Sequence, residues 1–288
     1  MTQTARAEIE VSDTVVRMQN IGFSYGSKSL FSQLDLEIQR GNIYGLLGKN
    51  GAGKTTLLKI LSGQLFPQEG STMVLGEDPT KRKPSLLQEI FYLPEEFPLP
   101  KMKGSEYVKM RAPFYPRFDH AQFASFCKEF DVDLEQRLDQ MSLGQKKKAL
   151  LSFGLASNTA LLILDEPTNG LDIPSKRQFR QTVASAMTEN RTFIISTHQV
   201  RDMENLIDPI IILHDGSVIF NDAVASVSDK YVLNLTTKEP DMATAMYVEK
   251  VLGGWMVLNE RSEESEGQPL DLETLFNVVI EKGKGGVR

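Results

Sequence analysis

Residues 48–55 read Gly-Lys-Asn-Gly-Ala-Gly-Lys-Thr, directly after the short apolar run Asn42–Leu47 and ahead of a helix-forming stretch, Thr56–Leu65. A buried strand, a glycine-rich loop and a helix in that order constrain the fold more than any other feature of the chain. Gly48, Gly51 and Gly53 permit backbone angles and close approaches that side chains would block. The main-chain N–H groups of the loop, Asn50 and Ala52 among them, and that of Thr56 just after it, can then curl around phosphate oxygens. Lys54 adds a point charge toward the same phosphates, the Thr55 hydroxyl suits a Mg²⁺ ligand, and the helix N-terminus favours anions.

A second constellation lies at Leu161-Leu162-Ile163-Leu164-Asp165-Glu166. Four successive apolar residues are too apolar for an edge strand and belong in a parallel sheet covered on both faces. Asp165 and Glu166 then emerge at the C-terminal end of that strand, where open α/β sheets bind ligands. Side chains alternate along a strand, so the two carboxylates are expected on opposite sides. Asp165 takes the metal-associated role that the aspartate of phosphate-loop NTPases performs. Glu166 is left as the candidate base for an attacking water. A solvated acidic turn before Pro167 is the alternative for the pair taken alone.

With these motifs the chain resembles the ATP-binding-cassette family of ATPases over roughly residues 14–222. Tyr25, in Gly-Phe-Ser-Tyr-Gly, matches the family's adenine-stacking aromatic. Gly48–Thr55 matches Walker A and Leu161–Glu166 matches Walker B with its catalytic glutamate. Met141-Ser142-Leu143-Gly144-Gln145 matches the signature, Asn169–Asp172 the loop that communicates between paired domains, and His198 the switch histidine. The signature is the specific part, since many NTPases carry phosphate loops and few carry this second motif just before Walker B. The resemblance implies ATP and Mg²⁺ as cofactors, with Thr55 and Asp165 on the metal and Glu166 and His198 as catalytic residues. It also implies that Ser142, Gly144, Gln145 and Asp172 complete the nucleotide site of a second domain in a head-to-tail homodimer or heterodimer.

Two positions depart from the family pattern. Leu143 stands where the signature usually has its first glycine. Glu95, in Phe91-Tyr92-Leu93-Pro94-Glu95-Glu96, stands where a glutamine is usual. A glutamine both donates and accepts, whereas an ionised glutamate only accepts. This variant looks like that of exporter-type and drug- or antibiotic-resistance ATPase subunits. In a subunit without its membrane partner, a retracted loop with Glu95 facing water is expected.

The expected fold is therefore α/β: a phosphate-loop NTPase core with an antiparallel β layer, an inserted helical subdomain and a small α+β C-terminal extension. The β layer spans Thr14–Arg40 and includes Leu34–Ile38. The helical subdomain, about 101–157, carries Tyr107, Phe114, Tyr115, Phe118, Phe123, Phe126 and Phe130, read as core rather than as a ligand platform. Asp215-Gly216 predicts a hairpin turn before Ser217–Phe220. Lys146, Lys147 and Lys148 open the signature helix, expected over Gln145–Ala156, and at ~100° per residue they cannot all face one ligand. After residue 225 an accessory region is expected, with strands at Tyr231–Leu235 and Trp255–Leu258, helices at Asp241–Leu252 and Leu270–Glu281, and an acidic loop at Ser262–Gln268. Residues Gly283–Arg288 are expected to fray.

Composition narrows the setting. No apolar run approaches the ~20 residues that span a bilayer, and the N-terminus lacks the apolar stretch of a signal peptide. A single cysteine, Cys127, excludes an internal disulfide and reads as a small buried hydrophobe. A net charge of −6 offers no basic excess for nucleic acid, so none is expected as a partner. The resemblance then implies an ATP-hydrolysing subunit of a transporter, cytoplasmic and peripheral, held to the membrane through a transmembrane permease partner. The alternatives are a soluble ATPase of the same family that remodels a macromolecular assembly, and a nucleotide-gated scaffold without turnover.

Overall fold

The computed structural model of the chain describes residues 13–240, 245–261, 267 and 270–282. The chain opens with a long hairpin, β1 (Thr14–Tyr25) and β2 (Lys28–Gln39). Strict alternation in β2 buries Leu34, Leu36 and Ile38 and exposes Asp35, Glu37 and Gln39, as a half-covered strand requires. Next come β3 (Ile43–Leu47), α1 (Lys54–Leu61) and β4 (Glu69–Val74). The fourth strand returns to pair antiparallel with β1, giving a three-stranded layer in the order β2-β1-β4.

A one-turn helix α2 (Pro84–Leu87) leads into β5 (Ile90–Leu93). Three helices follow: α3 (Gly104–Arg111), α4 (His120–Glu129) and α5 (Leu143–Ala156). Asp119 caps α4 through the N–H groups of Ala121 and Gln122. The chain then alternates through β6 (Leu161–Asp165), α6 (Ile173–Ser185) and β7 (Thr192–Thr197). The hairpin β8 (Ile210–His214) and β9 (Ser217–Asp222) turns at Asp215 and Gly216, both with positive φ. Strands β5-β6-β7-β3-β8-β9 form one six-stranded sheet, parallel except for the last pair. Every residue of β6 and β7 is buried, matching the continuous apolar pattern of a strand covered on both faces.

The last segment holds α7 (Val224–Ser228), β10 (Tyr231–Thr236), β11 (Tyr247–Val251), β12 (Gly254–Glu260) and α8 (Leu272–Lys282). Its strands form an antiparallel sheet in the order β10-β12-β11. The helix expected over Asp241–Leu252 is overturned for residues 247–251, which pair with β12, Val248 opposite Val257. Two β-branched valines and a turn through Gly253 at φ 89° favour the hairpin over a helix there. Residues 241–244, most of the Ser262–Gln268 loop and residues 283–288 lie outside the described residues.

The helical segment is joined to the sheet by an aromatic cluster. Phe153 on α5 meets Phe91, Tyr107, Tyr115, Phe118 and Phe123 with ring centroids 4.9–6.4 Å apart. Gly154 permits this approach, since a Cβ there would lie 2.4 Å from the Phe91 ring. Of the aromatics read as core, Phe114 is the exception at 67% exposure. Cys127 is buried on α4, and burial pushes its thiol up to about 11.

Phe153→Ala is expected to lower stability by about 3–5 kcal/mol through loss of burial and a residual cavity. Urea unfolding measures this, and a loss under ~1 kcal/mol would mean that the cluster does not hold the helical segment.

Candidate functional site

The C-terminal ends of β3, β6 and β7 arrive side by side, because Leu47 pairs with Thr197 and Asp165 with Ser196. Each strand delivers one piece of the site: the loop 48–53, the Asp165–Glu166 pair and His198. Gly53 precedes α1 at φ 107°, and a Cβ on it would meet the Phe31 ring at 2.6 Å, so only glycine fits. No side chain caps α1 and its first turn holds no acidic residue. Its N–H groups are thus free for an anion. The helix starts at Lys54, two residues before the predicted start, so Lys54, Thr55 and Thr56 form its first turn.

A cavity of about 360 Å³ lies over this turn. It is lined by Tyr25, Asn50, Gly51, Gly53, Lys54, Thr55, Thr56, Glu95 and Glu166, together with Lys28 and Leu30, which sequence reasoning did not single out. Its size is within the range of small-molecule sites. Tyr25 is 52% exposed, packs edge-on against Phe23 and bonds Thr56 through its hydroxyl at 3.2 Å. The phenol is thus fixed at one end while part of the ring stays open. A cavity of similar size, about 370 Å³, lies among Arg201, Glu204, Glu249, Asp271 and Glu273; it has no loop of free N–H groups and an excess of carboxylates.

Charged groups converge at Glu166. Lys54 is buried, its Nζ 2.9 Å from the Gly48 carbonyl and 3.6 Å from Glu166 Oε1. His198 Nδ1 lies 2.9 Å from the same carboxylate oxygen, and the His198 main-chain N–H reaches Glu166 Oε2 at 3.4 Å. Simple strand alternation does not describe the carboxylate pair. Asp165 ends β6, but Glu166 leaves it in the left-handed region at φ 46°. That bend is held on the N–H side by the Ser196 carbonyl at 3.2 Å and the Ser196 hydroxyl at 3.0 Å.

Asp165 is fully buried behind this bend. The Ser196 hydroxyl donates to Oδ1 at 2.5 Å and the Tyr92 hydroxyl to Oδ2 at 3.4 Å. Burial, then the Asp165 charge, raises the Tyr92 phenol above its usual range, so it stays a donor. Ser196 and Tyr92 were missed in the sequence; the only signal was a polar residue inside an otherwise apolar strand. Among the described residues no group of three or more His, Cys, Asp or Glu is placed to hold a metal alone. Thr55 lines the cavity, whereas Asp165 lies buried behind it with both carboxylate oxygens accepting hydrogen bonds.

Glu95 is exposed but not turned away: it lines the cavity and accepts from Asn169 Nδ2 at 2.9 Å. It faces water as expected, but the loop that carries it is not retracted from the cavity. Ser142, Gly144, Gln145 and Asp172 do not line the cavity of their own subunit. Ser142 caps α5 in a reciprocal box: its Oγ accepts from the Gln145 N–H at 3.2 Å, and Gln145 Oε1 accepts from the Ser142 N–H at 2.9 Å. The signature helix consequently begins at Leu143, two residues before the predicted start, and the Ser142 hydroxyl proton remains available. Leu143, the first residue of α5, and Ile173, the first residue of α6, stand exposed at 54% and 84%. Asp172 caps α6 by accepting from the Ser175 N–H at 2.9 Å, and the Ser175 hydroxyl, then this N–H, hold its carboxyl below the usual range.

Comparison with known proteins gives a consistent picture. A family described as "ABC transporter" matches residues 31–169. The lantibiotic transport ATP-binding protein SrtF of Streptococcus pyogenes is 31% identical over 207 residues, 71% of this chain and 89% of that protein. The SkfA peptide export ATP-binding protein SkfE of Bacillus subtilis is 30% identical over 214 residues, 71% of this chain and 87% of that protein. A solved ATP-binding subunit of an ABC transporter superposes with a TM-score of 0.68 at 23% identity, over 74% of this chain and 92% of that one.

Ser196→Ala is expected to cost about 1–3 kcal/mol in urea unfolding, because a buried carboxylate loses its short donor. Tyr92→Phe, which removes only the 3.4 Å contact, should cost less than Ser196→Ala. The reverse order would mean that Tyr92, not Ser196, holds Asp165.

Proposed function

Because the chain belongs to the ATP-binding proteins of ABC transporters, and is thereby an ATP-hydrolysing energy-coupling subunit, we propose how its residues divide that work. ATP lies in the cavity over α1 with its phosphates on the 48–53 loop and Lys54, and its adenine against the open part of Tyr25. Thr55 and Asp165 would hold Mg²⁺, which would neutralise charge on the phosphates. Glu166 orients and deprotonates the attacking water, and His198, bonded to the same carboxylate, keeps that group aimed. The observation that carries this reading is the meeting of Lys54 and His198 at one oxygen of Glu166, at 3.6 and 2.9 Å. It puts a phosphate-directed charge within ion-pair distance of a candidate base.

The site is completed by a second subunit, head to tail. Ser142, Gly144 and Gln145 lie outside their own cavity and at the exposed N-terminus of α5, where an anion is favoured. Exposed Leu143 and Ile173 supply apolar surface for that contact. Asp172 sits beside them as the start of α6. Glu95, bonded to Asn169, takes the place of a neutral side chain near the metal and the γ-phosphate.

Among the described residues no helix is long and apolar enough to cross a membrane. We therefore assign membrane attachment to a transmembrane permease partner, with this subunit peripheral on the cytoplasmic face. Export is the direction supported by Glu95 and by the peptide-export relative. Residues 14–222 form the nucleotide-binding unit and 225–288 an accessory region. That region touches the segment after His198 through the Arg201–Glu273 ion pair. A remodelling ATPase without transport has no observation in its favour.

Glu166→Gln should retain ATP binding and lose turnover by at least ~100-fold, since the amide keeps the shape but removes the base; parent-level phosphate release would move the base elsewhere. Ser142→Arg and Lys54→Ala should each be inactive alone. Mixed in equal amounts they should regain turnover, because one composite site then has both an intact loop and an intact signature. Inactivity of demonstrated mixed dimers would count against a composite site that works singly.

A further inference from the structure

Lys147 is a buried cation that the reading above leaves without a task. It lies in α5 at 2% exposure, although a lysine normally keeps its ammonium in water. The three successive lysines point three ways. Lys146 Nζ donates to the Asp139 carbonyl at 3.4 Å, and the Lys148 charge acts on Asp172. Lys147 turns inward, and its Nζ donates to the main-chain carbonyl of Glu166 at 2.8 Å. Burial pulls its ammonium below the usual lysine range, and the carboxylates of Glu95, Glu166 and Asp165 act in the opposite direction. An unpaired buried charge would not persist; this one has a hydrogen bond and three opposite charges around it.

The oxygen it holds occupies a demanding position. Glu166 is a non-glycine residue at φ 46°, a conformation that persists only where the surroundings over-determine it. Ser196 fixes its N–H side. Its carbonyl accepts from Lys147 and also from the Asn169 N–H at 3.2 Å. Asn169 in turn donates to Glu95. One ammonium therefore ties α5 to the bend at Glu166 and, through Asn169, to the loop after β5.

We propose that Lys147 is a positioning residue for hydrolysis: its hydrogen bond to the Glu166 carbonyl fixes the bend that aims the Glu166 carboxylate, and its charge balances Glu95. This rests on Glu166 being the base. It adds that a glutamate at position 95 is workable because a buried cation of the same subunit, tied to it through the Glu166 carbonyl and Asn169, acts on it. It also links the two sites of a pair, since the helix that offers Ser142 to the partner's nucleotide holds its own subunit's base through Lys147, five residues after the cap.

The test is a cycle of Lys147→Met, Glu95→Gln and the double variant, with Glu166→Gln in parallel. Methionine keeps the length and burial of lysine but removes the donor and the charge. Lys147→Met should lower kcat about 10- to 100-fold, as small displacements of a reacting group do, with KM for ATP within about threefold. In the nucleotide-free protein, amide exchange at Asn169 and His198 should accelerate, a readout independent of turnover. Adding Glu95→Gln should recover part of the lost kcat, at least about threefold, because the unbalanced carboxylate is gone. If methionine is not tolerated, Lys147→Gln replaces it in the same cycle with the same expectations. A folded variant with kcat within about twofold of the parent, unchanged exchange, or a loss identical with Glu or Gln at position 95 would overturn the proposal. Should Glu166→Gln abolish turnover while the Lys147 variants keep it, the inference alone fails; should Glu166→Gln stay active, the reading beneath it fails.

Discussion

Parallel pairing of β3 and β6 on either side of β7 is the constraint from which the site follows. It brings Leu47, Thr197 and Asp165 to the same edge of one buried sheet. The backbone groups of these strands are out of water and must stay paired, and a one-residue slip would reverse every side chain. The loop 48–53, the bend at Glu166 and His198 therefore start from nearly fixed points. What remains adjustable is short: a few residues of loop and the side chains themselves.

On that frame the protein gathers charge where burial makes charge costly. Lys54, Lys147, Asp165 and Glu166 are all buried, and an apolar set of similar volume would be at least as stable. Hydrogen bonds join Lys147 to the Glu166 carbonyl and Ser196 to Asp165 and to the Glu166 N–H, and Lys54, bonded to the Gly48 carbonyl, adds to this group through its ion pair with Glu166. Such a group is stable only when all its members are satisfied. The arrangement makes sense as a site kept ready for a polyanion. On the proposed reading, phosphates would give Lys54 a stronger partner than a main-chain carbonyl and would free Glu166 Oε1 from that ammonium, leaving the His198 ring on it.

Much of this was legible in the sequence because it rests on local patterns. The strand before the loop, the carboxylates after Leu161–Leu164, the Asp215-Gly216 turn and the two-residue alternation of β2 are each carried by a few adjacent residues. Contacts between distant segments were not legible. Nothing in Lys146-Lys147-Lys148 says which lysine turns inward; that depends on how α5 lies against the bend at Glu166. Ser196 and Tyr92 matter because β6 lies between β5 and β7, which is a property of strand order. The left-handed Glu166 was hidden for a similar reason, since glutamate has no preference for that conformation and the surroundings impose it. At residues 247–251, within the helix expected over Asp241–Leu252, pairing with β12 decides for a strand.

The central claim is that a working nucleotide site needs the loop of one subunit and the signature of another. A structure of the Glu166→Gln protein with Mg²⁺ and ATP tests it most directly. The account predicts a head-to-tail pair with two nucleotides, each γ-phosphate lying between Lys54 of one subunit and Ser142 of the other. A single subunit holding ATP closed by its own residues, or a pair in which both Ser142 hydroxyls face away from the nucleotides, would contradict it.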